Sequence, residues 1–113
     1  MSARLATGVF VSALLRETHA RGGSAVVVTK GDTSAGALLL ILLEKSSFRG
    51  VYESVLDRDG RYVWSAIAHP ESGNSAAVDM LCARRRRNDP DLWIVELDIP
   101  YPERFIAEFS ATY

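Results

Sequence analysis

The sequence contains a single cysteine, Cys82, and only two histidines, His19 and His69. One cysteine excludes an internal disulfide, and a metal site needs three or four convergent donors, which no cluster in the sequence supplies. We therefore expect no metal and no cofactor, and we assign no catalytic residue. Cys82 lies on an apolar helical stripe, which favours a small core residue over a reactive thiol.

Long apolar runs and an excess of one charge sign are also missing. The longest apolar run, Ala35 to Leu43, has nine residues, whereas a membrane-spanning helix needs about 20. Thirteen basic and fourteen acidic residues leave a formal charge of -1. The chain therefore has no large net positive charge that would attract it to nucleic acid or to a membrane. With 113 residues, 48% of them hydrophobic, the chain is expected to form a single domain over residues 1–113 in the cytoplasm.

Hydrophobic periodicity predicts two main helices. Residues 11–18 carry an apolar stripe ahead of Gly22-Gly23, a pair that suits a left-handed C-terminal cap. Residues 78–85 carry a second stripe, which Asn74 or Ser75 can cap and which Asn88-Asp89-Pro90 ends. Pro102 can open a short third helix. Gly8 to Phe10 fits either a short strand or the first turn of the first helix.

Strand patterns cover residues 24–30, 37–45, 51–56, 62–68 and 92–99. The second of these is apolar until Glu44, which is typical of a central strand covered on both faces. Turn residues at 31–36, 45–50 and Asp59-Gly60 separate the first four strands, and short turns demand antiparallel neighbours. The predicted fold is therefore α+β, with one mostly antiparallel sheet of about five strands and two main helices packed on one face.

The loop Gly31 to Gly36 invites a chemical interpretation. A nucleophilic serine needs a base, and neither histidine stands at a recognisable spacing. A phosphate-binding loop lies between a strand and a helix, whereas this loop joins two apparent strands. We interpret it as a hairpin loop in which the Asp32 side chain accepts backbone N–H bonds and both glycines adopt unusual φ values.

Arg84 to Arg87 form the only charge run. Four consecutive helical residues spread over about 300°, so they cannot all face one partner. They lie in the last helical turn, where the helix dipole favours cations. Asp89, Asp91 and Asp98 follow and can pair with them, which predicts an intramolecular charge network. The alternative is a weak phosphate-binding or nucleic-acid-binding surface.

Residues 11–16, Gly31-Asp32 with Ala35-Gly36, and above all Arg86 to Glu96 with its Asp-Pro-Asp-Leu-Trp block resemble a known family. It is an uncharacterised alphaproteobacterial family of small proteins of about this length, classed as a domain of unknown function. The resemblance covers nearly the whole chain, implies a bacterial cytoplasmic protein and supplies no activity. Its relatives tend to have Gly-Asp-Pro-Asp-Ala-Gly at residues 31–36, which argues against Thr33 or Ser34 as a nucleophile.

The leading functional interpretation is a non-catalytic binding or assembly module that forms a homodimer, or binds another protein. Its basis is the large number of apolar side chains in three segments: the Ala37–Leu43 strand, the Trp93 strand and the C-terminal residues Phe105, Phe109 and Tyr113. Small sheets with exposed edges commonly pair with a second copy or a partner strand. The alternative is a small enzyme or ligand-binding domain with a polar pocket. That pocket would use Asp32, Arg84, Arg86, Arg87, Asp89 and Asp91.

We predict no appreciable binding of duplex DNA or RNA at physiological salt. Helix geometry lets about two of the four arginines face one way, and two phosphate contacts give a salt slope of only about -1.8. A mobility shift with mixed-sequence duplexes at low and moderate salt measures this. A complex that survives moderate salt and is lost when Arg84, Arg86 and Arg87 are changed to alanine would contradict the prediction.

Overall fold

The sheet of this protein places its last strand between its first two. The computed structural model describes residues 5–56, 58–59, 62–69 and 74–112. In chain order the elements are α1 (Thr7–Ala20), β1 (Ser24–Thr29), β2 (Leu38–Glu44), β3 (Ser47–Leu56), β4 (Tyr62–Ala68), α2 (Ser75–Asn88), β5 (Trp93–Asp98) and α3 (Pro102–Thr112). The strands lie in the order β1-β5-β2-β3-β4, and the predicted α+β class is confirmed.

Three of the four strand pairings are antiparallel, and β2 with β5 is parallel. The mostly antiparallel sheet of five strands is therefore as predicted. The expectation that β1 and β2 are neighbours joined by a hairpin is wrong, because β5 lies between them. Local sequence does not show this, since β5 begins more than 60 residues after β1 ends.

The helices lie on both faces of the sheet. Leu38, Leu40 and Leu42 of β2 share one core cluster with side chains of α1 and α3. Leu39 and Ile41 share a second cluster with side chains of α2. The prediction that both main helices pack on one face is therefore wrong. A strand that is apolar at every position exposes two apolar faces, and each needs a cover.

The ends of the helices follow the predicted signals. Gly22 has φ +83, and the amides of Gly22 and Gly23 donate to His19 and Thr18 carbonyls at the end of α1, which is the Schellman arrangement. Asn74 caps α2 by accepting a hydrogen bond from the Ala77 amide. The open question at the N-terminus is answered, because Gly8 to Phe10 belong to α1.

The turn between β2 and β3 is shorter than the predicted 45–50. Lys45 and Ser46 alone form it, with φ values of 50 and 67, and β3 begins at Ser47. Their amides donate to the two carboxylate oxygens of Asp98, each at 2.9 Å. The predicted turn at Asp59-Gly60 includes a residue outside the described part of the chain, as do the loop at 70–73 and the C-terminal Tyr113.

The loop from β1 to β2 passes tightly against the residues that precede β5. A Cβ atom on Gly31 or on Gly36 would overlap the carbonyl oxygen of Asp91. Neither glycine has a positive φ, unlike Gly22 and Gly50, so the predicted unusual φ values are wrong. Glycine is required here by close backbone approach, because any side chain would push the loop away from the start of β5.

We expect Gly31→Ala and Gly36→Ala each to lower the free energy of unfolding by about 2–3 kcal/mol, because the new methyl group displaces the Asp91 carbonyl. Urea denaturation followed by circular dichroism measures this. Gly8→Ala is the matched control, since its Cβ would meet nothing closer than 3.4 Å and helical alanine is favoured over glycine. Equal stability of the Gly31→Ala and Gly8→Ala variants would contradict the close-approach explanation.

Candidate functional site

Three segments meet where the sequence analysis placed its polar site: the loop of residues 30–37, the C-terminal turn of α2 and the turn of residues 89–92. We call this region the loop junction. The Asp32 amide donates to the Asp91 carbonyl at 3.0 Å. The indole Nε1 of Trp93 donates to the Asp32 carbonyl at 2.7 Å, and the Trp93 amide donates to the Ala37 carbonyl at 2.8 Å. The fold thus brings the backbones of Asp32 and Asp91 together.

The carboxylate of Asp32 is used within its own loop. Its Oδ2 accepts hydrogen bonds from the amides of Ser34 at 3.2 Å and Ala35 at 2.8 Å. The prediction that this side chain accepts backbone N–H bonds is confirmed. Aspartate suits such turns because its short side chain reaches the amides two and three residues ahead.

The loop carbonyls also cover the N-terminus of α1. The Gly8 amide donates to the Thr33 carbonyl at 2.9 Å, and the Thr7 amide lies 3.4 Å from the Ser34 carbonyl. The first amides of a helix lack partners within the helix, so they need such acceptors. Because the loop supplies them, the Thr7 and Gly8 amides are not available for a phosphate group.

Two arginines of the run, Arg85 and Arg86, are partly buried and bonded within the protein, and the other two are exposed. Arg86 Nη1 donates to the carbonyls of Lys30 and Leu92, both at 3.0 Å, so it ties α2 to both ends of the junction. Arg85 forms an ion pair with Glu53 of β3. Arg84 and Arg87 are exposed and form no ion pair with any residue that the structure describes.

Arg85 and Arg86 make contacts within the protein, as predicted. The acidic partners predicted for the run, Asp89, Asp91 and Asp98, are wrong. Asp89 accepts the Asp91 amide at 3.1 Å. Asp98 holds the turn between β2 and β3 at the opposite end of β5. Six strand residues span roughly 17–20 Å, which puts Asp98 far beyond the reach of an arginine on α2.

Sequence reasoning missed Glu53 and the backbone carbonyls that Arg86 binds. A carbonyl carries no sequence signal, so only the fold reveals it as a partner. Glu53 interrupts the apolar pattern of β3 on the face that α2 covers. An acid on this apolar strand, in a chain with a helix that carries four arginines, is the available clue. A ligand-binding role for Asp32, Arg84, Arg86, Arg87, Asp89 and Asp91 stays a prediction.

A cleft of about 170 Å³ lies on the other side of the loop, at the N-terminus of α1. We call it the α1 cleft. Its walls include the rings of Phe10 and Trp64, and Leu38 is at its base. Thr7 and Ser54 contribute hydroxyl groups. Neither this cleft nor a second one of about 340 Å³ beside α3 is lined by Asp32 or by the arginine run.

Cys82 occupies the core, as predicted. It packs with Val78, Leu39 and Ile41 in the cluster beneath α2. Burial raises the pKa of its thiol above the usual value, and the negative charge of Asp79 raises it further, so the reactive thiolate form is disfavoured.

Two kinds of site are absent among residues 5–56, 58–59, 62–69 and 74–112. These residues contain no group of three or more His, Cys, Asp or Glu that could hold a metal ion. Within the same ranges, every helix is too short or too polar to cross a membrane.

Comparisons with known proteins identify similar chains. A family model described as "Protein of unknown function (DUF1491)" matches residues 5–107. A crystal structure of a DUF1491 family protein from Caulobacter crescentus CB15 is 30% identical, with coverage of 84% of this chain and 88% of that chain and a TM-score of 0.75. An NMR structure of a DUF1491 family protein from the same organism is also 30% identical, with coverages of 88% and 90% and a TM-score of 0.74.

The solution structure of protein Atu0922 from A. tumefaciens is 28% identical to this chain. It covers 85% of this chain and 86% of its own length, with a TM-score of 0.72. No curated protein matches the chain in sequence.

The arginine run offers a test of its structural role. We expect Arg86→Ala to lower the free energy of unfolding by about 2 kcal/mol, because two carbonyls lose a charged donor. Arg84→Ala and Arg87→Ala are matched controls and should change it by less than about 0.5 kcal/mol, as exposed substitutions do. Chemical denaturation of the three variants measures this, and an equal loss in all three would show that Arg86 has no special role.

Proposed function

The chain belongs to the DUF1491 family of proteins of unknown function, and we propose that it is a non-catalytic assembly module of the bacterial cytoplasm that forms a homodimer through strand β1. Membership confirms the resemblance carried by the Asp-Pro-Asp-Leu-Trp block, and the similar structures come from Caulobacter and A. tumefaciens. The observation that carries the proposal is the uncovered, uncharged edge that β1 presents.

Among the strands that the structure describes, β1 has a partner on one side only. It pairs with β5 and stands at the end of the strand order, so its outer N–H and C=O groups face away from the sheet. Edge strands are usually protected by lysine, proline or short length. Ser24 to Thr29 contain no charge and no proline, and the one protective feature is a register irregularity between Val27 and Thr29.

Two valines extend this open edge into an apolar patch. Val26 is 58% exposed and Val28 is 51% exposed. The alternate residues Ala25 and Val27 pack against the core on the α1 face. The α2 cluster draws on β2, β3, β4 and the start of β5 but contains no residue of β1. The two valines therefore lie on a part of the sheet that α2 leaves uncovered.

A second copy satisfies this edge through two-fold symmetry. Two β1 strands related by a two-fold axis run antiparallel and pair through identical surfaces. Pairing centred near Val27 extends the two sheets into one and brings four exposed valines together. The neighbouring Lys30 residues then lie on the order of 20 Å apart at opposite ends of the pair, so their charges do not oppose it.

The apolar groups available for self-association in the structure differ from those that the sequence indicates. Phe105 and Phe109 are 4% and 6% exposed, and both pack inside the protomer against β2 and β5. Strand β2 is likewise covered on both faces. Phe105, Phe109 and residues 38–42 of β2 are thus already buried, whereas Tyr113 lies outside the described residues. The valines of β1 take their place in the proposal.

We expect light scattering at micromolar concentration to give about twice the 12.4 kDa mass of one chain. Val26→Lys combined with Val28→Lys should give the mass of one chain, because like charges would meet across the axis. Val63→Lys on the opposite edge strand, β4, is the matched control, since Val63 is 42% exposed. It should leave the dimer intact, and circular dichroism checks the fold of all variants.

Two results would overturn the proposal. A single-chain mass for the wild type shows that β1 does not self-associate. A dimer that resists both β1 substitutions but dissociates with Val63→Lys shows that the other edge forms the interface.

A further inference from the structure

We propose that the α1 cleft binds a small, neutral, aromatic molecule that carries one hydroxyl or amine group. The cleft lies between the N-terminus of α1, residues 35–37 and strands β2, β3 and β4. Its volume of about 170 Å³ suits a single ring, because an apolar cavity of about 150 Å³ is large enough for benzene. This proposal is independent of the β1 interface.

Much of the wall of the cleft is aromatic or aliphatic. The rings of Phe10 and Trp64 have centroids 6.4 Å apart with an interplanar angle of 43°. Leu38 lies beneath them and is only 3% exposed. Trp64 is held in place by the hydrogen bond from its Nε1 to Ser110 Oγ on α3. Preorganised aromatic and aliphatic surfaces of this kind favour a planar ligand.

The described lining residues favour a neutral ligand over a charged one. Among the residues that the structure describes, none of the side chains that line the cleft is ionisable, so an anion or cation would lose water there without gaining a counter-charge from them. This distinguishes the α1 cleft from the second cleft, which is lined by Arg21, Arg104 and Glu108.

Two hydroxyl groups define where the polar group of the ligand binds. Thr7 Oγ1 donates to the Gly36 carbonyl at 2.7 Å, and its lone pairs remain able to accept a hydrogen bond. Ser54 Oγ lies 3.3 Å from the Leu38 amide and 3.4 Å from the Leu38 carbonyl. Both of these contacts are long, so the serine hydroxyl can turn to a ligand at little cost. A hydroxyl or amine on the ligand supplies the donor that Thr7 can accept.

The test is titration of the full chain with phenol, toluene and benzoate, followed by NMR of the Trp64 indole N–H and the Gly36 amide. We expect saturable shifts with phenol and binding about three- to tenfold weaker with toluene, because toluene lacks the donor. Benzoate should cause no saturable shift at these groups. Ser54→Ala should reduce the preference for phenol over toluene.

Matched variants locate the binding. Ala37→Phe places a ring in the cleft from an exposed residue and should abolish the phenol shifts. Ala83→Phe, on the exposed face of α2 outside the cleft, should leave them unchanged. Three outcomes would overturn the proposal: no saturable shift at millimolar phenol, phenol shifts that persist in Ala37→Phe, or equal responses to phenol, toluene and benzoate.

Discussion

The insertion of β5 between β1 and β2 is the constraint on which the rest of the structure depends. It gives β2 a parallel neighbour on one side and an antiparallel neighbour on the other. It also leaves β1 as an edge strand with one partner. With β2 in the sheet interior, five of its residues from Leu38 are buried, and burying such side chains contributes roughly 1.5–3 kcal/mol each.

This insertion explains the polar chemistry of the loop junction. The chain enters β5 directly beneath the loop that joins β1 to β2, so the two backbones must pass each other closely. Gly31 and Gly36 allow the approach. Asp32, Trp93 and Arg86 then provide partners for the carbonyls and amides of the crossing segments. Asp32 and Arg86, which the sequence offers for a polar pocket, thus form hydrogen bonds that hold the crossing segments together. Backbone N–H and C=O groups that leave water need such partners.

The β1 edge and the α1 cleft, the two surfaces for which we propose a role, lie on different parts of the sheet. The exposed valines of β1 lie on the side that α2 leaves uncovered. The α1 cleft opens on the opposite side, where Phe10, Trp64 and Leu38 belong to the core beneath α1 and α3. A dimer formed through β1 would therefore leave the cleft accessible. The helices on each face cover only part of the sheet. The β1 edge and the α1 cleft therefore stay apart from each other, on opposite faces.

The sequence by itself determined the elements of this protein. The stripes at 11–18 and 78–85, the caps at Gly22 and Asn74, and the continuous apolar run of β2 all depend on neighbours within a few residues, and the structure has them where predicted. The self-contained turn at Asp32 was predictable for the same reason. Local patterns report local geometry, because hydrogen bonds and side-chain directions repeat within one turn or one strand.

Only the tertiary structure decided which elements are neighbours. Periodicity shows that a strand has an apolar face, but it does not show which helix covers that face, so α1 and α2 were placed together when they lie apart. The partners of Arg86 are carbonyls from residues six and 56 positions away, and a carbonyl looks the same at every residue. The strand order, the arginine contacts and the α1 cleft all arise from long-range packing, which is a property of the whole fold and leaves no mark on any short stretch of sequence.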